Sequence, residues 1–268
     1  MTQLVFNRYE KKYLLPEAVY RLLRERLRGQ MSVDQYGLST ICNIYYDTED
    51  DLLIRRSIEH LSYKEKLRLR SYGVPGKDSR VFLEIKKKYE HIVNKRRIEL
   101  PLSTAYDYLN LGIRPDAECQ ILREIDFFLR RYRLRPRLFL AYDRLALYGK
   151  EDPEFRLTFD ARIRSRRVSV ELERGDFGTP LLPDKWYLME SKVQNAAPKW
   201  FSEILAELKI YSSSFSKYGN IYKKEHGQWN AERWMVHRIK DWKDLSYEEL
   251  HEGQELHEEQ EDRREMVC

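Results

Sequence analysis

The chain has 268 residues, 42% hydrophobic and 13% aromatic, so it can bury a sizeable core and is neither a disordered nor a low-complexity chain. No run approaches the ~20 apolar residues of a membrane span and nothing ahead of Val5 reads as a signal peptide, so a soluble cytoplasmic protein is expected. Of 49 Lys+Arg and 44 Asp+Glu, 8 and 13 fall from Lys223 onward, leaving 41 against 31 before it; the net charge of +5 therefore hides a basic body and an acidic tail.

Leu4 to Leu15 predicts a first strand. Pro16 opens a helix, Glu17 to Arg28, with Val19, Leu22, Leu23 and Leu27 on one stripe and Gly29 after it. Thr40 to Tyr46 predicts a strand, and Asp47-Thr48 an N-cap for a short helix through Glu59. Tyr63–Tyr72 and Arg80–Tyr89 form a hairpin about a turn containing Gly73, Pro75 and Gly76. A strand from Ile92 to Leu100 follows. Helices are expected over Ser103–Leu111 and Asp116–Tyr132, the second with Ile121, Leu122, Ile125, Phe128, Leu129 and Tyr132 along one side. The arginines from Arg130 to Arg137 read as a solvated helix face, because no aromatic platform interleaves them. Strands follow at Arg137–Tyr148, Phe155–Ser165, Arg167–Leu172 and Trp186–Val193. Pro198 opens a helix through Tyr211. The domain is placed at 1–222. The extension 223–268 keeps Trp229, Trp234 and Trp242 in its first half, and after Tyr247 it is dominated by Glu and reads as solvated.

The hairpin carries the informative pattern. A strand sends alternate side chains to opposite faces. In Tyr63 to Arg70, Lys64, Lys66, Arg68 and Arg70 therefore share one face, with Leu67 and Leu69 on the other. The same parity returns. Glu84, Lys86 and Lys88 oppose Leu83 and Ile85, and Lys95, Arg97 and Glu99 oppose Arg96, Ile98 and Leu100. Arg156, Thr158, Asp160, Arg162 and Arg164 oppose Leu157, Phe159, Ala161 and Ile163, and Glu10 and Lys12 share a face with Arg8. A lone basic strand is ordinarily a solvated face. Repetition over four or five strands instead predicts an α+β fold in which a closed antiparallel barrel of about eight strands has an apolar outside under helices and a wet, basic lumen. Such a lumen suits a polyanion accompanied by a metal ion, since Arg matches phosphate oxygens with a planar fork and Lys adds point charge. A nucleic-acid duplex cannot enter so narrow a barrel, and no nucleic-acid partner is expected. The three cysteines, Cys42, Cys119 and Cys268, and the six histidines show no metal or disulfide spacing.

R-Y-E-K-K-Y (8–13), Y-Y-D-T (45–48), K-L-R-L-R-S-Y-G (66–73), F-L-E-I-K-K-K (82–88), Y-D-R (142–144), F-R-L-T-F-D (155–160), M-E-S-K (189–192) and F-S-K-Y-G (215–219) occur in that order. Together they resemble the catalytic domain of the vacuolar transporter chaperone (VTC) polyphosphate polymerases and their stand-alone bacterial relatives, within the triphosphate tunnel metalloenzymes. The resemblance spans about Val5 to Tyr222. It implies an eight-stranded tunnel, transfer of the ATP γ-phosphoryl group to a growing polyphosphate chain, and a divalent cation, manganese or magnesium. It implies phosphate contacts at Arg68 and Arg70, with Lys12, Lys66, Lys86, Lys95, Arg144, Arg156 and Lys217 around them. Glu190 would carry the metal, and Tyr142 and Ser216 would be accessory contacts. Position 8 is Arg where the wider superfamily has the first Glu of E-x-E-x-K, leaving Glu10 and Lys12. The fungal proteins' SPX sensor and membrane domain have no counterpart here, so their regulation and transport coupling are not expected. A tripolyphosphatase on the same tunnel and a non-catalytic polyphosphate-binding module are the other readings.

Overall fold

The computed structural model describes residues 9–59, 62–90, 92–117, 119–194, 196–231, 235 and 242. The expected start of the first strand at Leu4, Arg8, Trp234 and the Glu-rich stretch after Tyr247 lie outside these residues. So do all the histidines except His226, which is exposed.

Strand β1 (Tyr9–Pro16) runs into helix α1 (Glu17–Leu27), and Val19, Leu23 and Leu27 of the predicted stripe are buried. Strand β2 (Met31–Asp47) is longer than expected, because an irregular stretch between Val33 and Leu38 continues the ladder back to Met31. Helix α2 (Leu52–Ile58) precedes the basic hairpin β3 (Tyr63–Tyr72) and β4 (Arg80–Tyr89), then β5 (Ile92–Pro101). Helix α3 (Leu102–Tyr106) widens into a π-turn at Asp107–Leu111. Helix α4 (Gln120–Arg131) begins later than Asp116 because Cys119 is still extended. Strands β6 (Arg135–Gly149) and β7 (Arg156–Arg166), the two-residue β8 (Thr179–Pro180) and β9 (Trp186–Val193) follow. Helix α5 (Lys199–Glu207) stops short of Tyr211, where Lys209 turns left-handed, and α6 (Lys217–Glu225) ends the described elements. Among the described residues, no helix is long and apolar enough to cross a membrane.

The strands form one antiparallel sheet in the order β1-β9-β7-β6-β2-β3-β4-β5, with β8 paired to β7. The expected barrel is not closed by a ladder: among the described residues β1 and β5 end the path unpaired. One reason is visible at β1. Its outer edge is taken by the segment before α6, where Ser213 N–H donates to Lys12 O at 2.7 Å. The sheet still curls: Leu14 of β1 and Tyr45 of β2, four strands away along the path, join one apolar cluster. The fold is thus an α+β trough, with α1, α3, α4 and α5 on its convex side and α2 and α6 closing one end of the concave side.

Three apolar clusters fix this shape. Outside β2, β3 and β4 lies a core that includes Leu67, Leu69, Leu83 and Ile85 with Leu122, Ile125 and Phe128 of α4. Outside β1, β7 and β9 lies a second, with Tyr13, Leu157, Phe159 and Met189 under Leu23 and Phe201. Trp242 joins it and donates Nε1–H to Leu208 O at 3.0 Å. A third cluster, containing Leu14, Tyr45, Leu138, Leu140, Ile163 and Leu188, fills one end of the concave side against Ile54, Tyr218 and Ile221. Burial of the convex face alone accounts for the apolar alternate positions of the hairpin, whose concave positions stay charged.

Two expectations fail on β7 and just after it. Arg162 and Arg164 do not share a face with Asp160. Arg162 has φ +47°, and the register with β6 slips between Ala141 and Asp143. One extra residue is a bulge, and it reverses the parity beyond it. Ile163 therefore packs inside, while Arg162 and Arg164 reach Asp143 on the outer side, at 3.1 and 3.2 Å. The predicted strand Arg167–Leu172 is instead a turn and a 3-10 turn at Leu172–Arg174. Buried Arg166 holds it: Nε donates to Ser169 O (2.7 Å) and Nη2 to Glu171 O (3.1 Å). The chain then returns against β7 at Gly178, where a Cβ would lie 2.7 Å from Ser165 O.

Candidate active site

The concave positions converge on a polar layer above the interior apolar cluster. The register aligns Lys12 with Glu190 and Glu190 with Thr158 across β1, β9 and β7, and Asp160 with Arg144 across β7 and β6. On the opposite wall Asn43 aligns with Arg70, Tyr45 with Arg68, and Arg68 with Glu84. Cations outnumber carboxylates, and three of the carboxylates are deeply buried: Asp160 is 0% exposed, Glu84 1% and Glu190 7%, the last as deep as Arg70.

On the β7 side, Arg144 grips Asp160 with both arms of its guanidinium, Nε to Oδ1 at 2.6 Å and Nη2 to Oδ2 at 2.7 Å. Lys217 Nζ lies 2.5 Å from Asp160 Oδ2 and 3.2 Å from Glu190 Oε1. Lys12 Nζ lies 3.6 Å from Glu190, 3.4 Å from Glu10 and 3.0 Å from Phe215 O. Burial alone would raise both carboxyls. Arg144 and Lys217 outweigh it at Asp160, and Lys217, Lys12 and Arg144 hold Glu190 well below the usual range. Lys192 has the opposite fate, because burial and the Arg144 charge lower it.

On the β3 side, Arg68 Nε donates to Glu84 Oε2 at 2.5 Å and Lys95 Nζ meets Glu84 Oε1 at 2.8 Å. Burial would raise Glu84, but Arg68, Arg70 and Lys95 bring it down to about 2. Arg70 differs from its neighbour. Its Nε donates to Asn43 Oδ1 (2.9 Å) and its Nη2 to the Tyr142 hydroxyl (3.2 Å), both neutral, while Glu84 is 4.0 Å away. Tyr142 links the two halves: Lys217 Nζ stands 4.6 Å and the Arg144 guanidinium carbon 5.0 Å from its ring centre. Tyr45, which accepts from Arg68 Nη1 at 3.3 Å, would be raised by burial, yet Arg68, Lys66 and Arg70 bring its phenol down to about 8. Lys66 falls to about 8 through burial and the nearby Lys86 and Lys12, against the opposing pull of Tyr45. Lys95 also falls to about 8, where burial and the Arg68 charge outweigh Glu84.

The structure thus brings together Lys12, Arg68, Arg70, Lys95, Tyr142, Arg144, Glu190 and Lys217. Lys66 and Lys86 lie beside this set in register with each other, Lys86 exposed. Arg156 is exposed at the upper end of β7, in register with Lys192. Ser216 is engaged locally: its Oγ accepts from Gly219 N at 3.2 Å and caps α6. That cap, and the Tyr218 hydroxyl donating to Asp47 Oδ2 at 3.1 Å, hold α6 so that Lys217 enters the layer. Asp160, Asn43, Tyr45 and Lys192 also belong to the site. Their concave parity was readable, but an acid in a basic row reads as a counter-ion, and Asn43 and Tyr45 lie in a strand with no alternation of charge.

Among the described residues no three His, Cys, Asp or Glu side chains cluster to hold a metal ion. The donors that converge are Glu190 and Glu10, both on Lys12. One or two carboxylates completed by phosphate oxygens is the manner in which Mg²⁺ is usually bound beside phosphates.

A family model described as the VTC domain matches residues 7–226. No curated protein sequence matches the chain. Among solved structures, a candidate adenylate cyclase of Bacillus halodurans is similar at 17% identity and TM-score 0.49, over 78% of this chain and 95% of that one. A candidate adenylyl cyclase of Hippeastrum, described as having a dominant triphosphatase activity, is similar at 15% identity and TM-score 0.49, over 82% and 96%.

Proposed function

Since the chain belongs to the VTC-domain family, we propose that it is a cytoplasmic polyphosphate polymerase, moving the γ-phosphoryl group of ATP onto an inorganic polyphosphate chain and releasing ADP. The observation that carries the reading is Arg70: a buried guanidinium fixed by Asn43 and Tyr142, both neutral, whose ion pair to Glu84 is stretched to 4.0 Å while that carboxylate is held closer by Arg68 and Lys95. Phosphoryl transfer asks little covalent work of a protein; positioning and charge neutralisation supply most of the catalysis.

In this reading Arg68 and Arg70 orient the transferring phosphoryl group, and Lys12, Arg144 and Lys217 hold its neighbours from the other wall. The attacking atom is a terminal oxygen of the acceptor phosphate. It forms a new P–O bond as the bond to ADP breaks, and being already ionised it needs no general base. Glu190, with Glu10, would hold a divalent ion, manganese or magnesium, whose contribution is to neutralise charge on the phosphate oxygens. Lys66, Lys86, Lys95 and Arg156 extend the cationic wall along the chain's path, and Tyr142 and Ser216 are accessory. The catalytic domain is assigned to residues 1–222.

The test is to incubate the purified protein with ATP and Mn²⁺ and separate products by gel electrophoresis. A polyphosphate ladder is expected. Release of orthophosphate alone would make it a hydrolase, and no turnover with retained polyphosphate binding would make it a binding module.

A further inference from the structure

The layer of arginines and lysines accounts for phosphates but not for the nucleoside of the donor, and one group of side chains on the same face fits it. Tyr72 follows Arg70 by two residues on β3, so it projects to the same concave side, roughly 6.5–7 Å farther along. Its side chain is 56% exposed. Phe82 of β4 stands directly across from Arg70 and meets the Tyr72 ring edge-on, with centroids 5.6 Å apart and planes at 84°. Arg97 of β5 covers Phe82, its guanidinium carbon 4.7 Å from that ring's centre. Phe82 is therefore occupied on one face and buttresses Tyr72, while much of the Tyr72 ring remains open.

We propose that Tyr72, braced by Phe82 and Arg97, is the stacking platform for the nucleobase of the phosphate donor. The assignment rests on the phosphate-transfer reading of the arginine layer. In the opposite direction along β3 and β4 the concave row continues with Lys66 and Lys86, cations suited to the acceptor phosphates and not to a nucleoside. A nucleoside triphosphate with its phosphates on Arg68 and Arg70 would then direct its ribose and base toward Tyr72, whose exposed ring stands at that end of β3. An aromatic ring stacks on any base because each has a π face, so the platform selects a nucleotide over a bare triphosphate without selecting among bases.

The experiment measures binding of ATP and of inorganic tripolyphosphate separately, by calorimetry, to the full chain and to Tyr72→Ala, Tyr72→Phe and Tyr148→Ala. Tyr148 is the control: it shares the concave parity of β6 but lies four residues beyond Arg144. Tyr72→Ala is expected to weaken ATP by roughly five- to more than a hundredfold while tripolyphosphate binding is unchanged. Tyr72→Phe should retain ATP affinity, and Tyr148→Ala should leave both ligands as they were. Equal losses for both ligands, no loss for either, or loss at Tyr148 in place of Tyr72 overturns the platform. A parent chain that binds tripolyphosphate but not ATP overturns it while leaving the phosphate layer standing. A parent that binds neither refutes the phosphate reading itself.

Discussion

Replacing Arg70 by Lys preserves the charge and removes the fork. In the native layer the fork spends two N–H groups on Asn43 Oδ1 and the Tyr142 hydroxyl, which fix its plane. The nearest carboxylate, Glu84, is 4.0 Å off and is already engaged by Arg68 at 2.5 Å and Lys95 at 2.8 Å. A lysine here would keep a point charge and three N–H donors, but all on one nitrogen, which cannot stand in the separate places of Nε and Nη2 and present a planar fork to phosphate as well. Loss of one charge-assisted contact of about 1.5–3 kcal/mol lowers kcat for ATP-dependent chain extension roughly ten- to more than a hundredfold. A stability cost accompanies it. Asn43 is fully buried and keeps its bond from Nδ2 to Leu140 O at 3.0 Å, but its Oδ1 loses a donor. An unpaired buried acceptor costs about 1–3 kcal/mol. The assay is therefore kcat well below the melting transition, with Tm measured alongside. Arg68→Lys should also lose rate, and in addition it loosens Glu84. Near-normal kcat in both variants would reduce the two arginines to counter-charges and remove the main support for this active site.

Glu190→Gln keeps the shape and deletes one carboxylate between Lys12 and Lys217; chain synthesis should collapse with the fold retained, whereas unchanged activity with the same manganese dependence would show that Glu190 holds no metal. Asp160→Asn removes the nearest buried counter-charge of Arg144 and Lys217, leaving them Glu190 at 3.9 and 3.2 Å, and should destabilise by about 1.5–3 kcal/mol in chemical denaturation, the scale of a hydrogen bond to a charged group; a loss well under about 1 kcal/mol, the scale of an exposed pair, would mean that the interior is far wetter than its burial implies. For pH, Lys66 titrates at about 8 in the fold against an ordinary 10.5, so between these values the unfolded chain holds protons that the folded one has released. Raising pH through that window should therefore stabilise the empty protein while weakening tripolyphosphate binding, because the ammonium form is the one that attracts phosphate. Lys66→Arg should weaken both trends, with Lys95 and Tyr45, which also fall to about 8, supplying the remainder, and parallel trends in place of opposed ones would contradict the assignment.

Much of the trough was legible because it is written in period two. Leu67 and Leu69 against Lys66, Arg68 and Arg70 predict the two faces of β3 correctly, and Leu83 and Ile85 do the same for β4. What defeats this reading is backbone geometry that side-chain type does not signal. Arg162 adopts a positive φ with no glycine or asparagine to announce it, so parity carried Arg164 to the wrong side. The turn at Ser169 is held by Arg166, a residue whose neighbours in sequence look like strand. The connection of β9 to both β7 and β1 is a long-range pairing, and the cover over the β1 edge comes from a segment some 200 residues away in the chain. Ser216, expected as an accessory phosphate contact, commits its oxygen to starting α6, a role that its place in F-S-K-Y-G does not announce.

The excess of cations on the concave side also bears on how long the protein lasts. Burial first, and the neighbouring cations behind it, hold Lys66, Lys95 and Lys192 below their ordinary proton affinity, so keeping charge in the empty trough is a cost that the three apolar clusters must overcome. A multivalent anion that binds the native chain and not the unfolded one relieves this and shifts the folding equilibrium by mass action. Under the proposed activity that anion is the product. Polyphosphate accumulating around the enzyme would then protect it from unfolding and proteolysis, and a cell stripped of polyphosphate would shed its polymerase faster, linking abundance to product without any dedicated regulator.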